Sequence, residues 1–183
     1  MRRLLCALSL LGWAAAAHAA AVPFSSQSAG FSCELASADW AAFEEQSPRG
    51  VSVHFFGPAQ ARGAYRAAYH VHFFEKDRQG FLPVMEFMKV LREREKLSDR
   101  GATPPTVWRV SKRAARVFEA REERLLPTGR LPAELIALHH FYALVPAGGE
   151  GYFLIKLSTT EESFLDFRAE FRRFLESFLV YGD

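Results

Sequence analysis

The sequence predicts an α+β fold, an antiparallel β-sheet of about six strands flanked by amphipathic helices. Three observations predict it. Several short segments alternate apolar and polar residues with the period of two that a half-buried strand shows. Two others, around residues 81–97 and 160–178, switch to apolar steps of three and four, the period of a helix with one buried stripe. The connections between them are short and rich in glycine and proline, as consecutive antiparallel elements require.

The chain opens with a segment of another kind. Arg2 and Arg3 supply a positive start, residues 4–17 an apolar stretch, and Ala17-His18-Ala19 a small-x-small site, so residues 1–19 read as a secretory signal peptide. Residues 20–30, small and polar, read as a flexible lead-in, and residues 31–183 as a single domain. Phe31-Ser32-Cys33-Glu34-Leu35 alternates as a strand, and Trp40 follows it as an aromatic able to close over the core. A second strand is expected over residues 50–56, bounded by Pro48 and by Gly57-Pro58. A longer one is expected over residues 64–75, with Tyr65, Ala67, Tyr69, Val71 and Phe73 on one face and His70 and His72 on the other.

In residues 81–97, Phe81, Val84, Met85, Met88 and Leu91 form the apolar stripe, and Pro83 is tolerated in a first turn. Two short strands are expected at residues 107–110 and 115–120, then a loop over residues 125–132 that holds Pro127, Gly129 and Pro132. A hairpin joins residues 135–145 to residues 152–158 through the turn Pro146-Ala147-Gly148-Gly149-Glu150-Gly151. In the last helix Thr160 is placed to cap, Glu161 and Glu162 suit the positive helix start, and Phe164, Phe167, Phe171, Phe174 and Phe178 form one stripe. Such a stripe belongs in a core, because each fully buried large apolar side chain contributes roughly 1.5–3 kcal/mol.

Charge narrows the partners. The chain has 23 Lys and Arg against 21 Asp and Glu, and removal of Arg2 and Arg3 with the leader brings the balance to zero. A neutral surface with mixed signs offers no long-range field for nucleic acid or an anionic membrane. The short basic run Arg109, Lys112, Arg113 and Arg116 reads as a solvated strand edge or turn, with an anion site as the alternative. Past the leader no segment approaches the ~20 apolar residues of a membrane span. Cys33 is the only cysteine left after cleavage, so the domain is held by its apolar core; its thiol is read as a small buried group, the alternative being a reactive or interchain thiol.

The strand Phe31–Leu35 with Trp40 after a short gap, the helix over residues 81–97, the turn Lys112-Arg113-Ala114, Gly151-Tyr152-Phe153-Leu154 and the closing Glu176-Ser177-Phe178 together resemble the PsbP/Mog1-like superfamily over residues 31–180. That resemblance implies an antiparallel sheet with helices on its faces, and a role in binding or assembly rather than catalysis. The founding members are a photosystem accessory subunit and a small-GTPase regulator, and nothing in this chain carries either activity over.

Chemistry-bearing residues are few. His70 and His72, two apart on a strand, share a face and would form part of a zinc or copper site if His54 or His140 joined them from a neighbouring strand. The plainer reading places these histidines on a polar sheet face under a helix. Tyr142 and His140 on one strand and Tyr152 on the next would line a groove if that face stayed open. No Gly-x-Ser-x-Gly elbow, His-Glu-x-x-His, phosphate loop or dinucleotide turn is present, and Glu122-Glu123 and Glu161-Glu162 are paired in sequence only. The expectation is therefore a non-enzymatic binding or accessory domain of the bacterial cell envelope, periplasmic or secreted, with no cofactor and with a protein or small ligand as partner. A metal-binding periplasmic protein is the alternative, and a hydrolase comes third.

Overall fold

The computed structural model describes residues 21–95, 101–128 and 132–181, so the expected leader lies outside the described residues. Two antiparallel sheets and two α-helices are seen among them. The main sheet has seven strands in the order β3(Ala41–Ser47), β4(Gly50–Gln60), β5(Tyr65–Phe74), β9(Tyr152–Thr160), β8(Glu134–Pro146), β7(Arg113–Leu126), β6(Thr106–Val110). A smaller sheet pairs β1(Val22–Ser26) with β2(Phe31–Leu35) and β2 with β10(Leu179–Val180). The helices are α1(Val84–Glu95) and α2(Phe164–Ser177).

Strand alternation gives the main sheet two unlike faces. On one, Val53, Phe55, Tyr69, Val71, Phe141, Ala143, Phe153 and Ile155 form an apolar floor. The small sheet and α2 cover it, α2 inserting Phe164, Phe171, Phe174 and Leu175. Phe178 follows the helix and stacks on Phe31 of β2 at 4.9 Å, joining the two layers. Trp40 closes this core, stacked on Tyr69 at 4.1 Å. Its ring lies so close to Gly57 that a Cβ there would stand 2.9 Å from it, which reserves the position for glycine.

The opposite face is covered in part by α1, whose Met88 packs with Phe118, Tyr142, Leu144 and Tyr152. What α1 leaves bare is largely polar, with Phe43 and Phe56 exposed at its β3–β4 edge.

The expected segments form, with differences. α1 begins at Val84 rather than Phe81, and Met85 of its expected stripe is 59% exposed because the helix meets the sheet chiefly through Met88. The main sheet has seven strands rather than about six, the addition being β3, which hangs on the edge with almost every side chain exposed and so shows no apolar alternation. The segment read as a lead-in contains β1, whose Val22 and Phe24 pack on the core while Ser26 is buried. The expected loop after residue 125 begins later, because β7 runs to Leu126 in unbroken register with β8. Thr160 does not cap α2: a 3-10 turn at Glu161–Ser163 intervenes, and no side-chain hydrogen bond caps either start. Tyr65 does not follow the Tyr69 side; its hydroxyl reaches Ser158.

Candidate functional site

The bare part of the second face is where the chemistry collects. Register places His54 opposite His70, Ser52 opposite His72, His70 opposite Lys156, and His140 opposite Ser158, so five strands contribute polar side chains once Glu122 and Arg124 of β7 are added. No short sequence motif carries this set; it exists only through cross-strand pairing.

At its centre runs a line of hydrogen bonds. The Ser158 hydroxyl stands 2.8 Å from His140 Nδ1, and His140 Nε2 stands 3.1 Å from Glu122 Oε1. Tyr65 OH bonds Ser158 Oγ, and Arg124 pairs with Glu122. The direction of each bond follows from ionisation. The bond from His140 is the chief cause that holds the Glu122 carboxyl down at about 2, so it is ionised and only accepts. Burial lowers His140 to about 4, so its ring is neutral, with the proton on Nε2 and the lone pair on Nδ1. Ser158 therefore donates to His140. Burial raises Tyr65 above its ordinary value, so its phenol keeps its proton and donates to Ser158.

A serine, a histidine and a carboxylate in line have the composition of an acyl-transfer triad. His140 is 1% and Ser158 3% exposed, and Tyr65 OH donates to the serine oxygen. In this arrangement four buried or half-buried polar groups each find a partner.

Towards the β3 edge, His54 Nδ1 and His70 Nδ1 are 2.7 Å apart, and the rings meet edge to face. Burial, with His54 and Lys156 adding to it, lowers His70 to about 4. The other two histidines of the expected metal set do not join them. His72 turns to Ser52, 2.6 Å from its Nδ1, and His140 is committed to Ser158 and Glu122. Among the described residues, no group of three or more His, Cys, Asp or Glu side chains is arranged to hold a metal ion.

The expected groove is filled. Tyr142 and Tyr152 are 2% and 0% exposed beneath α1; Tyr142 stacks on Phe118, and Tyr152 OH donates to the Leu82 carbonyl at 2.9 Å. Tyr152 pairs with Pro146, four residues along β8 from Tyr142, so the two tyrosines and His140 do not share one cleft. Cys33 is buried, and burial pushes its thiol up to about 12, so it keeps its proton.

Sequence reasoning missed Glu122, Ser158 and Tyr65. Glu122 and Glu123 are neighbours on a strand and so face opposite ways, which sends Glu122 alone to His140; only the β7–β8 register reveals it. On the other face His139 is held between two carboxylates, Glu119 at 3.3 Å and Glu161 at 3.0 Å. Besides charged side chains such as Glu45 and Arg124, this histidine face leaves two aromatic rings in solvent: Phe43, 57% exposed, and Phe56, 39% exposed, flank His54 at the β3–β4 edge.

No protein-family model matches the chain, and no curated protein sequence does. Solved structures do. Cyanobacterial PsbP (CyanoP) from Synechocystis sp. PCC 6803 is 15% identical with a TM-score of 0.50, over 97% of this chain and 99% of that one. A protein of unknown function from Pseudomonas aeruginosa, PA94, described as a putative regulator, is 16% identical with a TM-score of 0.52, over 89% of this chain and 98% of that one. LpqN, described as involved in cell envelope biogenesis of Mycobacterium tuberculosis, is 11% identical with a TM-score of 0.51, over 88% of this chain and 86% of that one. At these identities the likeness is one of fold. No helix among the described residues is long and apolar enough to cross a membrane.

Proposed function

We propose that this chain, whose fold is PsbP/Mog1-like, is an exported accessory domain of the bacterial cell envelope that binds a partner and turns over no substrate. One contrast on one sheet face carries the reading. The reactive side chains Ser158 and His140 are sealed against each other, while the aromatic side chains Phe43 and Phe56 are left in water. Exposed aromatics on neighbouring strands cost solvation and are covered when a partner docks. The leader-like residues 1–19 support export, and the description of LpqN supports the envelope.

Affinity capture from the periplasm tests the reading, with the full chain expressed behind its own leader and tagged at its C-terminus. A specific partner retained by the parent chain and lost from Phe43→Ser/Phe56→Ser is the expected result. Recovery of no specific partner, together with ester hydrolysis by the purified protein that disappears in Ser158→Ala, overturns it.

A second reading is favoured by the 2.7 Å approach of the His54 and His70 nitrogens, which a zinc or copper ion would bridge once the proton they share moves to an Nε2. Nitrogens at ~2.0–2.1 Å from a tetrahedral ion stand about 3.3 Å apart, so the pair would need to open by about 0.6 Å, with solvent completing the coordination. Calorimetry that detects no binding at micromolar zinc or copper removes this reading.

A further inference from the structure

The β7–β8 hairpin projects past the strand beside it. β8 pairs with β7 along an unbroken register from Leu126↔Glu134 to Arg116↔Leu144, but with β9 only from Leu138↔Thr160 onward. β9 stops there because the Thr160 N–H is taken by Gln60 Oε1 at 3.1 Å and the chain turns into Glu161–Ser163. Residues 134–137 of β8 therefore have no strand beside them on that side among the described residues. In an antiparallel ladder alternate residues direct both N–H and C=O the same way, so two of these four present unsatisfied pairs. Neither proline, lysine nor a bulge, the usual guards of an exposed edge, interrupts them.

This edge borders a notch of about 430 Å³ whose other walls are Ala61, Thr160, Glu161 and Glu162. Four extended residues measure about 13 Å, which is the length of edge left open. Leu135, 62% exposed, and Leu125 directly opposite it, 61% exposed, form an apolar step at the margin. Among the described residues the notch lining carries three carboxylates and no basic side chain. Glu161 is already engaged by Arg121 and His139, which leaves exposed Glu134 and Glu162 to set the sign of what enters.

We propose that an extended, basic segment of a partner polypeptide adds to the sheet here, antiparallel to β8 and in line with β9, with an apolar side chain covering Leu135. This rests on the reading of the chain as a partner-binding domain and gives it a second contact, made by residues other than Phe43 and Phe56. Backbone hydrogen bonds supply the attachment and the carboxylates select for lysine or arginine.

The test is an NMR titration of the isotopically labelled protein with the peptide acetyl-Lys-Val-Lys-Val-Lys-amide. Three controls accompany it: the same peptide N-methylated at alternate amides, its Glu-Val counterpart, and the Glu134→Lys/Glu162→Lys protein. Expected are shifts confined to residues 134–137 and their neighbours, amide exchange at those residues slowed at least tenfold, and binding lost on N-methylation. Charge reversal of the protein should exchange the preference between the Lys and Glu peptides. Silence at residues 134–137 at millimolar peptide, or equal binding of the N-methylated or the acidic peptide, overturns the proposal. Such silence beside partner capture that depends on Phe43 and Phe56 sinks the edge alone, whereas Ser158-dependent ester turnover sinks the accessory reading whatever the edge does.

Discussion

His54 Nδ1 and His70 Nδ1 face each other at 2.7 Å, a gap that holds one proton and not two. Of the causes that lower His70 to about 4, burial is the largest and the charge His54 can carry comes next. Removing the neighbour should therefore release part of the effect and no more. In His54→Leu, an NMR titration of the His70 ring should give a pKa above that of the parent chain and still below the ordinary 6.5. An unchanged or lower value would show that the two rings are not in contact in solution.

Acid should weaken the fold in two windows. His70 and His140 are both held at about 4, against an ordinary 6.5 in the unfolded chain. Between those values the unfolded state binds more protons than the folded one, so this contribution is fully present above pH 6.5 and is lost as pH falls towards 4. Across the whole window it amounts to at most about 3 kcal/mol for each histidine. Glu122, held at about 2, and Glu119, held below the ordinary carboxylate range by His139, act in the same sense at lower pH. Their share is present above about pH 4.5 and is lost below it. Urea midpoints at pH 7.5, 5.5 and 4.5 should fall in that order, and His70→Gln/His140→Gln should flatten the decline above pH 4.5.

Whether an element can be read from the sequence depends on a burial period or on a strong turn beside it. β5 and the α2 stripe carry an apolar period, whereas β8 and β9 are buried on both faces over most of their length and are legible as a hairpin through the turn at residues 146–151. β3 buries almost nothing, β10 has only two residues, and β1 hides its Val22 and Phe24 among small polar neighbours, so none of the three announced itself. The site divides in the same way. The shared face of His70 and His72 follows from the period of two, while His54 joins them only through the β4–β5 register. The turn of His72 to Ser52, and the line from Tyr65 through Ser158 and His140 to Glu122, depend on register and rotamer, which composition does not encode.

Gln60 ties two distant parts of the main sheet. Its side-chain amide donates to Thr159 Oγ1 at 2.8 Å and its carbonyl accepts from Thr160 N–H at 3.1 Å, all in a buried setting. Gln60→Leu keeps the bulk and orphans both partners, which costs roughly 1–3 kcal/mol for each buried group left unpaired. A loss near 3 kcal/mol by urea denaturation is expected, with faster amide exchange at Thr160. Less than 0.5 kcal/mol, on the order of a surface change, would mean that water replaces the amide and that Gln60 does not terminate β9.

The α2 stripe sets the last expectation, because two residues of one helix should behave oppositely. Phe171 is fully buried and packs on Tyr69 at 5.2 Å and Phe141 at 5.4 Å, bridging the helix to two sheet strands. Leu165, six residues earlier, is 76% exposed. Truncation of the first removes ring contacts and leaves a cavity that a rigid sheet floor cannot close, so Phe171→Ala should cost about 3–5 kcal/mol. Leu165→Ala removes surface already in water and should change stability by less than about 0.5 kcal/mol. Urea unfolding with an unchanged slope measures both as pure stability differences. Similar losses for the two variants would mean that α2 does not seat its phenylalanines on the sheet, and the apolar floor of the main sheet would then need another cover.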